Sequence, residues 1–136
     1  MERCILDSDT FSLFLRHDAS ATRRVHDYLR IYPRLTFSIM TQYEILRGLK
    51  TKRAIKQEAT FEIICRRSEI LPLATAIVVR ASEIYGELKP KGQKIGDSDI
   101  LIAATALVHS LTVISNNTKH FGRIAGLSQE NWHEAV

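Results

Sequence analysis

The stretch Arg3-Cys4-Ile5-Leu6-Asp7-Ser8-Asp9-Thr10 is a short apolar run that ends in carboxylates, the pattern of a buried strand delivering acids to its own carboxyl end. Phe11, Leu13, Phe14 and Leu15 follow, so a helix is predicted to start directly behind the acids. Outward from this unit the same alternation repeats. Residues 19–31 place Ala21 or Thr22, Val25 and Leu29 at helical spacing with Arg23, Arg24, Asp27 and Arg30 opposite, and Pro33 closes that helix. Residues 34–40 read as a second strand, and Thr41-Gln42-Tyr43-Glu44 opens a helix through Leu49 that Gly48 weakens near its end. A helix over 53–65 turns Ala54, Phe61, Ile64 and Cys65 inward. A third strand over 69–73 lies near a sheet edge or ends there, because Pro72 has no amide to donate.

Ile77, Val78, Ala81, Ile84, Tyr85 and Leu88 mark a helix over 74–89, stopped by Pro90-Lys91-Gly92. After a polar loop, Asp97-Ser98-Asp99 caps a helix bearing Ile100, Leu101, Ala103, Ala104 and Leu107. A fourth strand over 111–114 enters Ser115-Asn116-Asn117, and the tail over 127–132 adds another. Parallel crossovers need a dozen or more residues, and the helical connections supply them. The expected fold is α/β: one domain over 1–136, a three-layer α/β/α sandwich with a central, mainly parallel sheet.

Composition narrows the function. Nineteen Lys and Arg against fifteen Asp and Glu leave a formal charge of +4, while six Gly and three Pro argue against long disordered tracts. No apolar run reaches the roughly 18 residues of a membrane span, and the start is acidic too early for a signal peptide, so a cytoplasmic protein with no membrane partner is expected. Cys4 and Cys65 lack a second sulfur or histidine at metal-ligand spacing and read as reduced core residues. Between Glu44 and Glu58 stand Arg47, Lys50, Lys52, Arg53 and Lys56 with no acid. That run is either a footprint for a polyanion or a solvated helix face.

In an open parallel sheet, ligand sites lie beyond the carboxyl ends of the strands. Asp7, Glu44, Asp99 and Asn117 are expected to converge there. Three carboxylates together are electrostatically costly, and a hard divalent cation such as Mg²⁺ or Mn²⁺ relieves the cost. Such an ion lowers the pKa of a bound water and polarises a phosphoryl oxygen, the requirements for hydrolysing a phosphodiester. Each acid has a plainer reading as well. Asp7 serves as a helix N-cap, Glu44 completes a capping box from Thr41, Asp97 is assigned the structural duty at its helix start, and Asn117 makes an Asx turn. His17, His26, His109 and His133 show no partners, whereas His120 lies three residues past Asn117 and is the histidine placed to reach the site.

The order of these motifs resembles the PIN-domain ribonucleases, specifically the VapC toxins of toxin–antitoxin pairs. Ile5-Leu6-Asp7-Ser8-Asp9 is similar to that family's opening strand and first acid, and Ser38 to Gly48, ending in Arg47-Gly48, to its second-acid segment. Ile95 to Ala104 resembles the third-acid helix, Val113 to Phe121 the last strand and turn, and Gly126-Leu127 through Asn131-Trp132 the closing segment. The resemblance implies that Asp7, Glu44 and Asp99 are the catalytic, metal-binding acids, that Asn117 is a further metal ligand, and that Ser115 supports the metal and its water. It also implies an endoribonuclease that cuts structured RNA such as tRNA or rRNA to stop translation, leaving 5′-phosphate ends, with Arg47, Lys50, Lys52 and Arg53 steering the RNA backbone. A cognate VapB-like antitoxin is implied that lays an amphipathic segment against Phe11, Phe14, Leu15, Ile45, Leu46 and Leu49 and sends a cation into the acids, together with a homodimer. The chain departs from many relatives in having no acid at Asn117 or His120.

Two other readings compete. Asp7-Ser8-Asp9 and Gly96-Asp97-Ser98-Asp99 are also similar to haloacid-dehalogenase phosphatases, but Phe11 stands where that family has Thr or Val, and Glu44 would have no role. A PIN-like domain that binds RNA or a partner without cutting is the non-enzymatic alternative.

Overall fold

A computed structural model describes residues 1–133. Strand β1 (Cys4–Leu6) leads into helices α1 (Ser8–Leu15) and α2 (Ala19–Leu29), then β2 (Thr36–Ser38), α3 (Ile39–Thr51), α4 (Ile55–Arg66) and β3 (Glu69–Leu71). Helix α5 (Thr75–Leu88), a 3₁₀ turn (Lys89–Lys91), α6 (Asp97–His109), β4 (Thr112–Ile114), α7 (Thr118–Phe121) and β5 (Gln129–Glu130) complete it. Every ladder is parallel: β1 with β4 in the register Ile5 to Val113, β4 with β5, and β2 with β3. Because β1 also lies beside β2, the strands follow the order β3, β2, β1, β4, β5 across the molecule. The chain leaves β1 towards one side and returns to β4 on the other, so a topological switch point sits at the carboxyl ends of β1 and β4.

Three layers follow from the strands' two-residue period. Ile5 and Val113 face a core shared with Ile77, Ile84, Ile100 and Ala103 of α5 and α6. Cys4, Leu6 and Ile114 face the other way, into a core built with Phe11, Val25, Tyr28, Phe37, Phe61 and Trp132. Phe11 is the hub of the second core, meeting Phe14, Phe37 and Phe61 edge-on.

Several boundaries differ from the sequence reading. The second strand stops at Ser38 instead of Met40, because the Ser38 hydroxyl accepts the Met40 amide and starts α3 there. The third strand ends at Leu71, just before Pro72, on the outer side of its ladder. Gly96 is the N-cap of α6, so Asp97, Ser98 and Asp99 form its first turn instead of capping it. Val78 and Tyr85 are about half exposed and do not join the core. At the α5 exit Gly92 adopts a left-handed φ of 65°, a conformation glycine takes without strain. His133 does have a partner, lying 3.5 Å from Asp18, the cap of α2. Cys4 and Cys65 are free thiols, and burial pushes Cys4 up to about 12, so it is inert at neutral pH. No described helix is long and apolar enough to cross a membrane.

Candidate active site

Asp7 follows the last residue of β1 and is the N-cap of α1, its Oδ1 accepting the Thr10 amide at 2.8 Å. The cap reading and the site reading are therefore both true of one residue. The residue is 3% exposed. Burial pushes its pKa up to about 6, while hydrogen bonds from Ser115 and Thr10 hold it down and the Asp9 charge adds to the rise. Ser115, fully buried just after β4, also accepts the Asn117 amide at 2.8 Å through its hydroxyl. The turn after β4 is thus made by Ser115 and not by an Asx turn of Asn117.

Glu44 stands on α3, well past the Ser38 cap, so it has no part in a capping box. Its Oε1 accepts two hydroxyls, Ser8 at 2.6 Å from the start of α1 and Ser98 at 2.7 Å from the first turn of α6. Arg47 approaches Oε2 to 3.9 Å. Asp99, one residue past Ser98, has its pKa raised, first by burial and then by the negative charge of Asp9, with Glu44 contributing and His120 opposing. His120 Nδ1 lies 3.7 Å from Asp99 Oδ2 and 2.8 Å from Asn117 Nδ2. The histidine picked out from the sequence does reach the acids, and Asn117 meets them through it.

Near the ends of β1 and β4, Asp7 thus meets Ser115, Glu44 meets Ser8 and Ser98, and Asp99 meets Asn117 through His120. Asp97 is not gathered: it lines a separate cleft with Val78, Tyr85 and Leu101 between α5 and α6, and it makes no cap hydrogen bond. Sequence reasoning missed Ser8, Ser98 and Asp9. The last was visible as an acid two residues beyond Asp7, and its charge acts on both Asp7 and Asp99.

Among the described residues no three His, Cys, Asp or Glu side chains converge at metal-ligand spacing, and the Glu44 carboxylate is engaged by the two serine hydroxyls. The donor chemistry nevertheless suits a hard divalent cation. Asp7 and Asp99 are carboxylates whose ionised forms are disfavoured by burial and by neighbouring negative charge, and a cation among oxygen donors removes that penalty.

Two clefts lead away from the acids. One of about 260 Å³ runs from Glu44 past Ser12, Arg16, Ile45 and Lys52 to Gln57. It brings Arg16 beside the site, a cation the sequence did not single out. The other, about 520 Å³, continues from Leu15 and Gln57 along Phe14, His26, Lys56 and Ile64. Of the apolar wall expected from the sequence, Phe14, Leu15, Ile45 and Leu49 line these clefts, while Phe11 is fully buried and Leu46 packs against the core. Of the expected RNA-contacting cations, Lys52 lines the nearer cleft, Arg47 approaches Glu44 to 3.9 Å, Lys50 is paired with Glu58 at 3.0 Å, and Arg53 sits at a left-handed φ of 53° between α3 and α4.

The PIN domain matches residues 4–127. Ribonuclease VapC2 of Rickettsia felis is 35% identical over 83 residues, 61% of this chain and 62% of that protein. The tRNA(fMet)-specific endonuclease VapC of Salmonella typhimurium is 32% identical over 100 residues, 73% of this chain and 76% of that one. The chain spans about three fifths of the length of the Rickettsia relative, as it does of ribonuclease VapC1 of Methanocaldococcus jannaschii. In structure, DNA-bound VapBC of Salmonella typhimurium superposes with a TM-score of 0.85 at 28% identity, covering 97% of this chain and 99% of that one. VapBC2 of Rickettsia felis bound to a promoter DNA fragment gives 0.85 at 26% identity, over 94% and 97%. With the domain matched over residues 4–127 and the fold in agreement, the chain belongs to the PIN-domain family, in its VapC branch.

Proposed function

We propose that the chain is a metal-dependent endoribonuclease, the toxin of a type II toxin–antitoxin pair, which hydrolyses phosphodiester bonds in structured RNA such as tRNA or rRNA and so inhibits translation in the cytoplasm. The observation that supports this reading is that Ser8 and Ser98, the chain neighbours of Asp7 and Asp99, both donate to Glu44, while the charge of Asp9 acts on both buried aspartates. Asp7, Asp99, Glu44 and Asn117 are the residues that would hold Mg²⁺ or Mn²⁺, which supplies a bound water of lowered pKa and polarises the phosphoryl oxygen. Ser8 and Ser98 hold Glu44, and Ser115 holds Asp7. Arg16 and Lys52 line the cleft at Glu44, Arg47 approaches the same carboxylate, and the three draw in the RNA backbone.

The solved relatives named above are described as VapBC complexes, which supports an antitoxin as partner. The cleft along Phe14, Leu15 and Ile64 suits the apolar face of an antitoxin segment, and its junction with the Glu44 cleft lets a cation on that segment reach the acids. A homodimer through the α5/α6 face, where Val78, Val79 and Tyr85 are about half exposed, belongs to the same proposal. Light scattering on Val78→Asp tests it: the wild-type chain should run as a dimer and the variant as a monomer, and a monomeric wild type sinks that part.

The deciding experiment incubates purified, antitoxin-free chain with total RNA in Mg²⁺, Mn²⁺ or EDTA and maps the new ends by sequencing. Metal-dependent cuts at one or a few sites, absent in Asp7→Asn and Asp99→Asn, are expected. Intact RNA with both ions overturns the nuclease reading in favour of a domain that binds RNA or a partner without cutting it.

A further inference from the structure

One feature beside the acids has no part in holding them. Tyr43, the residue before Glu44, is 55% exposed, while the buried face of α3 is formed by Thr41, Ile45 and Leu49. A single exposed tyrosine is ordinary, but this one is held in place. Four residues on, Arg47 lays its guanidinium over the ring, Cζ at 5.1 Å from the centroid. The same guanidinium reaches towards Glu44, with Nη2 at 3.9 Å from Oε2. Arg47 therefore links an aromatic face to a carboxylate of the site, and the ring lies within one side chain's reach of the acids.

A half-exposed aromatic ring flanked by a guanidinium is the surface on which a splayed-out base stacks, whichever base it is, while the positive charge serves the adjoining phosphate. Paired bases cannot use it, because their faces are covered by the neighbouring pairs. The local charge favours a nucleic acid, since Arg47, Lys50, Lys52, Arg53 and Lys56 follow Glu44 with no acid before Glu58. We propose that Tyr43, oriented by Arg47, is a stacking platform for one unpaired base next to the scissile phosphate, so that cleavage requires an unpaired nucleotide at that position. This rests on the ribonuclease reading and deepens it by naming the form of RNA the site accepts.

The test measures fluorescence anisotropy of a labelled 12-nucleotide single-stranded RNA and of the same sequence as a duplex. Both are titrated with the non-cleaving Asp99→Asn chain carrying Tyr43 as Tyr, Phe or Ala. Tyr43→Ala should weaken single-strand binding about tenfold or more, Tyr43→Phe should stay within about twofold, and duplex binding should not change. As a check that needs no change to the protein, single abasic positions are walked along an RNA that the wild-type chain cuts in Mn²⁺. Removal of one base flanking the cut should lower cleavage by a similar factor. Equal single-strand affinity for Tyr and Ala, an equal loss in Phe and Ala, or an altered sedimentation of Tyr43→Ala in place of an altered RNA affinity each overturns the platform while leaving the nuclease reading intact. A chain that neither binds nor cuts any RNA sinks the nuclease reading, and the platform with it.

Discussion

Burial places the Asp7 carboxyl at about 6 in the folded chain against an ordinary value of 3.8, and this sets a direction for stability. The fold prefers the protonated form. Asp7 therefore favours folding most below pH 3.8, and that contribution is lost as pH rises through about 6, leaving an ionised group that costs up to about 3 kcal/mol without a cation. Asp7→Asn should abolish cleavage in Mn²⁺, yet in EDTA at pH 7.5 it should raise the melting temperature by several degrees, because asparagine still caps α1. The gain should vanish by pH 4 in calorimetric melts, and a lower Tm at pH 7.5 would show that burial of the charge is not the dominant effect. A second prediction concerns Glu44, whose Oε1 accepts both Ser8 and Ser98. Ser8→Ala or Ser98→Ala alone should cost about 1 kcal/mol or less, since one donor remains, while the pair together should exceed the sum of the singles. Chemical denaturation of the four proteins closes that cycle. At this scale the expectation for Asp7 and Asp99 came from their places after a strand and in a first helical turn, whereas Glu44 lies in the body of α3 and its serine partners show only where the starts of α1 and α6 meet that helix.

Helix α3 carries Tyr43, Glu44 and Arg47, and its start is set by Ser38, a fully buried residue whose hydroxyl takes the Met40 amide at 3.0 Å. Ser38→Ala should destabilise the chain by about 1 kcal/mol, read from denaturant midpoints, by leaving that amide without its partner. The sequence put this helix start three residues too late, because Ile39 and Met40 continue an apolar run and run length alone extends a strand. A similar ambiguity appears at α6, where Asp-Ser-Asp reads as a cap but Gly96 takes that position, leaving Ser98 and Asp99 to face the site and Asp97 to face α5. Helices with strong periodicity, such as α5 and α6, were legible to within a residue or two. Strands of three residues are too short for their ends to be read from pattern alone.

Across the whole molecule the charge is +4, and three of its cations stand by Glu44: Arg16 and Lys52 line the cleft there and Arg47 approaches its carboxylate. RNA affinity should fall steeply with salt, and Lys52→Ala should lower the slope of log affinity against log salt by about one without changing where the chain cuts. Anisotropy at several KCl concentrations measures the slope, and an unchanged slope removes Lys52 from the RNA path. The layer arrangement itself follows from the alternation of strands and helices, which compels parallel crossovers and covers both faces of the sheet.

By itself the sequence determined the α/β class, the parallel sheet and the places of Asp7 after a strand and Asp99 in a first helical turn, because periodicity and residue type are local and survive without coordinates. Only the tertiary structure decided that Glu44 is held by serines from two other helices, that Asp9 presses on Asp99, that Phe11 is core and not cleft wall, and that Arg47 ties Tyr43 to the acids. These are contacts between residues distant in the chain or between faces of one helix, and the packing of α1, α3 and α6 around the switch point sets them.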